Sequence, residues 1–241
     1  MASRELNALL QSEMPLAFEE YKAGPSRVGL VIVDEVNGFA TVGAGNLAPP
    51  QQDDQVDRMV EETNRLAKAF TERGWPVLAF LDTHEPGVPE PPYPPHCERG
   101  TGEENFVPAL EWLENNKACV KVRKDCINGF IGAIRQDGSN AVVDWVRDNK
   151  VEHMLVVGIC TDICVMDFVL TVLSARNHAL LPPLAEVFVY SQGCSTYDLP
   201  KQVAVALGRR AIDAHPQETT HYLGQYFMAS RGARLVDSVS L

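Results

Sequence analysis

Asp34 and Lys124 each stand where an apolar run gives way to polar chain, and Cys164 stands near the start of a helix-like run. Together they could run acyl chemistry. A cysteine attacks a carbonyl as the thiolate. A carboxylate can take the thiol proton and later hand it to a leaving group. A lysine beside them favours both anions, so no histidine is needed. Cys164 closes the stretch Gly158-Ile-Cys-Thr-Asp-Ile-Cys164, which reads as a turn entering a helix. A helix N-terminus and a nearby cation both lower a thiol pKa. The N–H groups of such a turn could also receive an oxyanion. Taken singly, the three residues have plainer readings: a core cysteine, a loop carboxylate and a solvated lysine.

The elements that must position them alternate along the chain. Val28–Val33 is a continuous apolar run rich in β-branched residues and ends at Asp34, as a buried parallel strand does. Val56, Met59, Val60, Thr63, Leu66 and Phe70 repeat at helical spacing and stop at Gly74. Further strands are expected at 76–81, 118–123, 153–157, 187–190 and 234–236. Helices are expected after a Ser139 cap, over 162–177, after Asp198 and from Pro216 as a first helical residue. Six strands alternating with helices predict a three-layer α/β/α, mainly parallel, Rossmann-like sheet. In such a sheet, ligands bind beyond the carboxyl ends of the strands. That rule selects Asp34, Lys124 and the turn before Cys164. Between Thr83 and Thr101 the chain carries six prolines and little periodicity. A long irregular loop in a compact domain is usually functional or disordered.

Composition narrows the class. The 241 residues carry 21 Lys plus Arg against 32 Asp plus Glu, hence 21 − 32 = −11. That balance disfavours nucleic acid and anionic membrane as partners. The length suits one domain over residues 1–241, with 1–24 as an N-terminal extension. The extension has scattered acids and no apolar core after a basic start, so it does not read as a targeting peptide. No apolar run approaches the ~20 residues of a membrane span. The six cysteines sit in no dense framework, so reduced thiols and a cytoplasmic location are expected. No Gly-rich phosphate loop follows the first strand, so no nucleotide cofactor is expected.

Several segments resemble one family, the isochorismatase-like cysteine hydrolases, and within it the plant-type nicotinamidases. Val31-Ile-Val-Asp34-Glu-Val-Asn-Gly-Phe39 resembles the first motif of that family, with Val36 where Gln is usual. Lys124-Asp-Cys-Ile-Asn-Gly-Phe130 resembles its lysine motif in a shorter form. Lys121 is the neighbouring alternative, but Lys124 sits at the strand's end. Gly158-Ile-Cys-Thr-Asp-Ile-Cys164-Val resembles its nucleophile turn. The resemblance runs from about Gly29 to Leu235.

The resemblance implies hydrolysis of nicotinamide to nicotinate and ammonia through a cysteine thioester, in NAD salvage. Asp34, Lys124 and Cys164 would be catalytic. A cis peptide would fall at Ile159–Cys160, and the backbone N–H groups of Cys160 and Cys164 would form the oxyanion hole. Phe39 and Tyr93 match the aromatic walls of the substrate pocket. Asp82, His84 and His96 match a site for a divalent metal, Zn²⁺ or Fe²⁺, with an open position for a pyridine nitrogen. A further His usual in relatives is missing, and Glu85 or Glu90 is left as the only substitute. The remaining histidines, 153, 178, 215 and 221, fit no motif and read as structural. Self-association is implied by resemblance alone. Two alternatives stand beside this reading: a related amide or N-carbamoyl hydrolase using the same Asp–Lys–Cys chemistry, and a non-catalytic binding protein on the same fold.

Overall fold

The continuous apolar runs become buried strands in the computed structural model, which describes residues 2–241. In chain order the elements are α1 (Ala2–Glu13), β1 (Phe18–Lys22), β2 (Val28–Val33), α2 (Asn37–Ala40), α3 (Asp54–Glu72), β3 (Val77–Asp82), β4 (Cys119–Lys124), α4 (Gly129–Gly132), α5 (Ala141–Asn149), β5 (His153–Ile159), α6 (Cys164–Asn177), β6 (Glu186–Ser195), α7 (Lys201–Ala206), α8 (Gln217–Ala229) and β7 (Arg234–Ser240). All strand pairs are parallel, in the order β1-β7-β6-β5-β2-β3-β4.

The sheet therefore has seven strands where the sequence reading gives six. The seventh is β1, inside the stretch read as an extension. Its sequence, Phe-Glu-Glu-Tyr-Lys, pairs with β7 at the sheet edge and buries only Tyr21. Charged residues are how edge strands avoid further pairing, and they erase the apolar signature that a central strand carries. Two caps also differ by one residue. Asn140 caps α5, its side chain accepting from the Val142 and Val143 N–H groups. Pro216 is the cap of α8 and not its first residue.

Side chains alternate across the sheet, so β2 supplies both faces. Leu30 and Ile32 join Leu66 and Phe70 of α3 on one side. Val31 and Val33 join Val142 and Trp145 of α5, Phe168 and Val169 of α6, and Met228 of α8 on the other. These are the two outer layers. Among the described residues, no helix is long and apolar enough to cross a membrane.

The topology brings the ends of β5, β2, β3 and β4 side by side. Val33 lies opposite Gly158, and Asp82 opposite Lys124. Gly158 has φ 129, and a Cβ there would stand 2.1 Å from the Val33 carbonyl oxygen. Only glycine allows this approach. It draws the turn after β5 against the residue that follows Val33, which is Asp34.

Candidate active site

Asp34 leaves β2 in the left-handed region, φ 53, with its N–H donating to the Phe80 carbonyl at 3.2 Å. A non-glycine residue rarely adopts that conformation, and here it turns the carboxylate into the interior. Lys124, the last residue of β4, reaches the same place. Its Nζ lies 2.8 Å from Asp34 Oδ2, 2.8 Å from Asp82 Oδ1 and 2.9 Å from the Cys126 carbonyl. Two carboxylates pair with the ammonium, and it donates hydrogen bonds to Asp82 and the Cys126 carbonyl, which makes the charge tolerable in a buried site. Lys121, by contrast, donates to the Glu114 carbonyl near the surface.

Cys164 opens α6 and is 8% exposed, at the floor of a pocket. Nearby, both oxygens of the buried Asp34 carboxylate have no hydrogen-bond partner, and Lys124 meets it only as an ion pair. The Ile159–Cys160 peptide is cis. The N–H groups of Ile163 and Val165 both donate to the Cys160 carbonyl. Outside the helix and strand ladders, among the described residues, the N–H groups of Cys160 and Cys164 donate no backbone hydrogen bond. Both are left for a ligand oxygen.

The protonation pattern differs from the sequence reading in one respect. Burial holds the Cys164 thiol well above its usual range, and the attraction of Lys124 does not overcome it. Burial also raises the Asp34 carboxyl, to about 6, against the pull of Lys124 and with help from Asp82. At neutral pH the resting pair is therefore a carboxylate beside a thiol. The thiolate must be made by proton transfer to Asp34 rather than standing ready.

Asp82 links this triad to a second cluster. One of its oxygens takes Lys124, and the other, Oδ2, lies 3.0 Å from His84 Nε2 and 3.2 Å from His96 Nε2. Burial works against the charge, but Lys124, His84 and His96 together hold Asp82 well below the usual carboxylate range. Glu90 Oε2 lies 3.6 Å from His84 Nε2 and 3.5 Å from His96 Nε2. Glu85 instead pairs with Arg99 at the surface. Ligand atoms of Asp82, His84 and His96 all fall within 4.8 Å of one another. His96 Nδ1 donates to the Pro94 carbonyl at 2.8 Å, and its Nε2 faces the Asp82 carboxylate, so the ring is held above the usual imidazole range, at about 10; a bound cation would take the place of the Nε2 proton. Two imidazoles and one or two carboxylates converging in this way suit a divalent transition metal.

A narrow, partly open pocket lies above Cys164. Phe39 and Tyr93 line it, as the resemblance implies, together with Tyr197 and the aliphatic side chains Leu47, Ile127 and Ile163. Asp82, Glu90 and His96 stand at its polar side. The acid–histidine cluster and the Cys164 thiol therefore open into one cavity.

The sequence described by the Isochorismatase domain matches residues 28–219 of this chain. The chain belongs to the isochorismatase family. Nicotinamidase 1 of Arabidopsis thaliana is 55% identical over 215 residues, covering 89% of this chain and 87% of that protein. The crystal structure of nicotinamidase PncA from Bacillus subtilis shares the fold, with TM-score 0.64 and 19% identity over 88% of this chain and 100% of that one. A pyrazinamidase of Pyrococcus horikoshii, solved in complex with zinc, has TM-score 0.60 at 20% identity over 88% and 99% of the two chains.

Within this isochorismatase-family fold, every candidate residue from the sequence except Glu85 lies at one cavity or directly behind it. Sequence reasoning missed Leu47, Ile127, Ile163 and Tyr197. The first three carry no chemical signal that separates a pocket wall from a core residue. Tyr197 follows β6 and could have been found by applying the strand-end rule to that strand as well.

Proposed function

We propose that the protein is a nicotinamidase, converting nicotinamide to nicotinate and ammonia in NAD salvage. The observation that carries this reading is the shared cavity: a buried Asp–Lys–Cys triad and an Asp–His–His cluster open onto the same aromatic slot. A flat pyridine ring suits such a slot. The 55% identity to a protein named Nicotinamidase 1 supports the same conclusion.

Asp34 takes the Cys164 proton as the sulfur attacks the carboxamide carbon. The carbonyl oxygen gathers charge and is met by the N–H groups of Cys160 and Cys164, worth ~3 kcal/mol each in such holes. Lys124 stays an ammonium throughout and balances the negative charge as it moves between sulfur and carboxylate. Asp34 returns the proton to nitrogen as the C–N bond breaks and ammonia leaves. Asp34 then accepts a proton from the water that cleaves the thioester and passes it to the departing sulfur, giving nicotinate and the free thiol. Asp82, His84 and His96, with Glu90 as a further donor, would hold the divalent ion. When bound, that ion would supply an open coordination position for the pyridine nitrogen. Phe39 and Tyr93 flank the ring and exclude water.

The six unpaired thiols support a cytoplasmic location for this enzyme. The exposed apolar side chains Val203, Val205, Leu207 and Ile212 support self-association.

The substrate assignment is tested with a panel of nicotinamide, aliphatic amides and N-carbamoyl compounds, scored for ammonia. Nicotinamide should be hydrolysed with the highest kcat/KM, and a preference for carbamoyl compounds would replace this reading with the related amidase. The purified protein should carry a divalent ion. His96→Ala should lose most of that metal and most activity by elemental analysis and assay, whereas full metal content in His96→Ala would remove His96 from the ligand set. The pH profile follows from Asp34, which must be ionised to accept the thiol proton. Because its carboxyl is raised to about 6, kcat/KM should fall about ten-fold per unit below that pH and level off above it. A profile without this acid limb would mean that another group is the base.

A further inference from the structure

Asp162 lies inside the nucleophile turn, between Cys160 and Cys164, and takes no part in the chemistry above. Its Oδ1 accepts from Thr196 Oγ1 at 2.7 Å, and its Oδ2 lies 2.8 Å from His215 Nε2. The other ring nitrogen of His215, Nδ1, lies 2.8 Å from the Tyr197 carbonyl oxygen. The Thr220 hydroxyl, 3.4 Å from the same nitrogen, donates to the Pro216 carbonyl. A carbonyl oxygen accepts only, and so does an ionised carboxylate. Both nitrogens of His215 must therefore donate, which makes the ring an imidazolium. Burial opposes that charge, but the Asp162 hydrogen bond offsets it and holds His215 above the usual imidazole range.

The Tyr197 ring lies flat against this cation, with centroids 3.8 Å apart and planes at 12°. An aromatic face over a cation is attractive. Tyr197 also lines the substrate pocket. The chain is pinned here in two further ways. Leu199 and His215 exchange both backbone hydrogen bonds, at 2.8 and 2.7 Å. Gly224 lets α8 press on the turn, since a Cβ there would stand 2.8 Å from the Asp162 Cα.

We propose that His215 is a positioning residue that ties the nucleophile turn, through Asp162, to Tyr197, and thereby fixes the Tyr197 ring as the wall against which the substrate ring packs. This rests on the nicotinamidase reading only for the identity of the ring. One charged side chain would set two things at once: the turn that carries the oxyanion donors, and the aperture for an aromatic amide.

The first arm of the test needs no substrate and no variant. Ring ¹⁵N shifts of assigned His215 should show both nitrogens protonated in wild-type protein at pH 7.5, a value taken above the ordinary imidazole range of about 6.5. A neutral tautomer would overturn the proposal whatever the substrate proves to be. The second arm is steady-state kinetics on the best substrate of the panel. Tyr197→Phe keeps the stacked ring and should recover most of the KM that Tyr197→Ala loses. Tyr197→Ala and His215→Gln should each raise KM about ten-fold with a smaller change in kcat. The double variant should be little worse than either single one, because the two residues act as a unit. Unchanged KM in Tyr197→Ala, or full additivity in the double variant, would overturn the proposal.

Discussion

Replacing Cys164 by alanine should lower nicotinamide turnover by at least about four orders of magnitude, the usual result of removing a covalent nucleophile. The expectation is this large because no other thiol can take over. Cys160 is four residues away in the same turn, but its thiol is pushed up to about 12 by burial. In the proposed mechanism its contribution is the backbone N–H, which alanine retains. Cys160→Ala should therefore keep most activity while Cys164→Ala loses it, and nicotinate should still bind to both, because Phe39, Tyr93 and the metal cluster are untouched. Measured kcat for the two variants decides the matter. Activity surviving Cys164→Ala would remove the thioester from the mechanism.

Asp34→Asn should lower kcat by about 10³-fold, within the range for loss of a general acid–base group. Asparagine keeps the shape of the side chain but cannot accept the proton. That loss is severe here because burial holds the Cys164 thiol well above its usual range, so almost no thiolate exists without the base. The variant should also lose the acid limb near pH 6, since the group responsible is gone. Lys124 would keep Asp82 and the Cys126 carbonyl as partners, so the fold should survive. An Asp34→Asn enzyme with near-normal kcat would show that a different group deprotonates the thiol.

Much of this was legible in the residues because buried parallel strands and strand-end chemistry leave strong marks. Val28–Val33 is apolar throughout because both faces of β2 are covered, and the polar residue that follows it is the proposed base. Lys124 was separable from Lys121 by alternation alone, and the two side chains do part, one to the interior and one to the surface. Glu90 rather than Glu85 reaches the histidines because Glu85 is taken by Arg99. That choice depends on the path of a proline-rich loop, which no periodicity encodes.

What stayed hidden has the same physical character. The edge strand β1 is disguised by its charges. The pocket walls Leu47, Ile127 and Ile163 come from separate segments and look like any aliphatic residue. His215 sits 53 residues from the aspartate it pairs with, so its role exists only once the chain has folded. The thiol was the one chemical misreading. A neighbouring lysine and a helix N-terminus argued for a lowered pKa, but the site is so enclosed that desolvation outweighs them.

The central claim is that nicotinamide is hydrolysed at Cys164. It is tested most directly by following nicotinate formation while a small alkylating reagent modifies the protein, with the extent of modification at Cys164 read by peptide mass. The account predicts that nicotinate formation falls in step with Cys164 alkylation and that bound nicotinate protects both. Full turnover by protein whose Cys164 is completely alkylated, or no nicotinate from the unmodified enzyme, would contradict it.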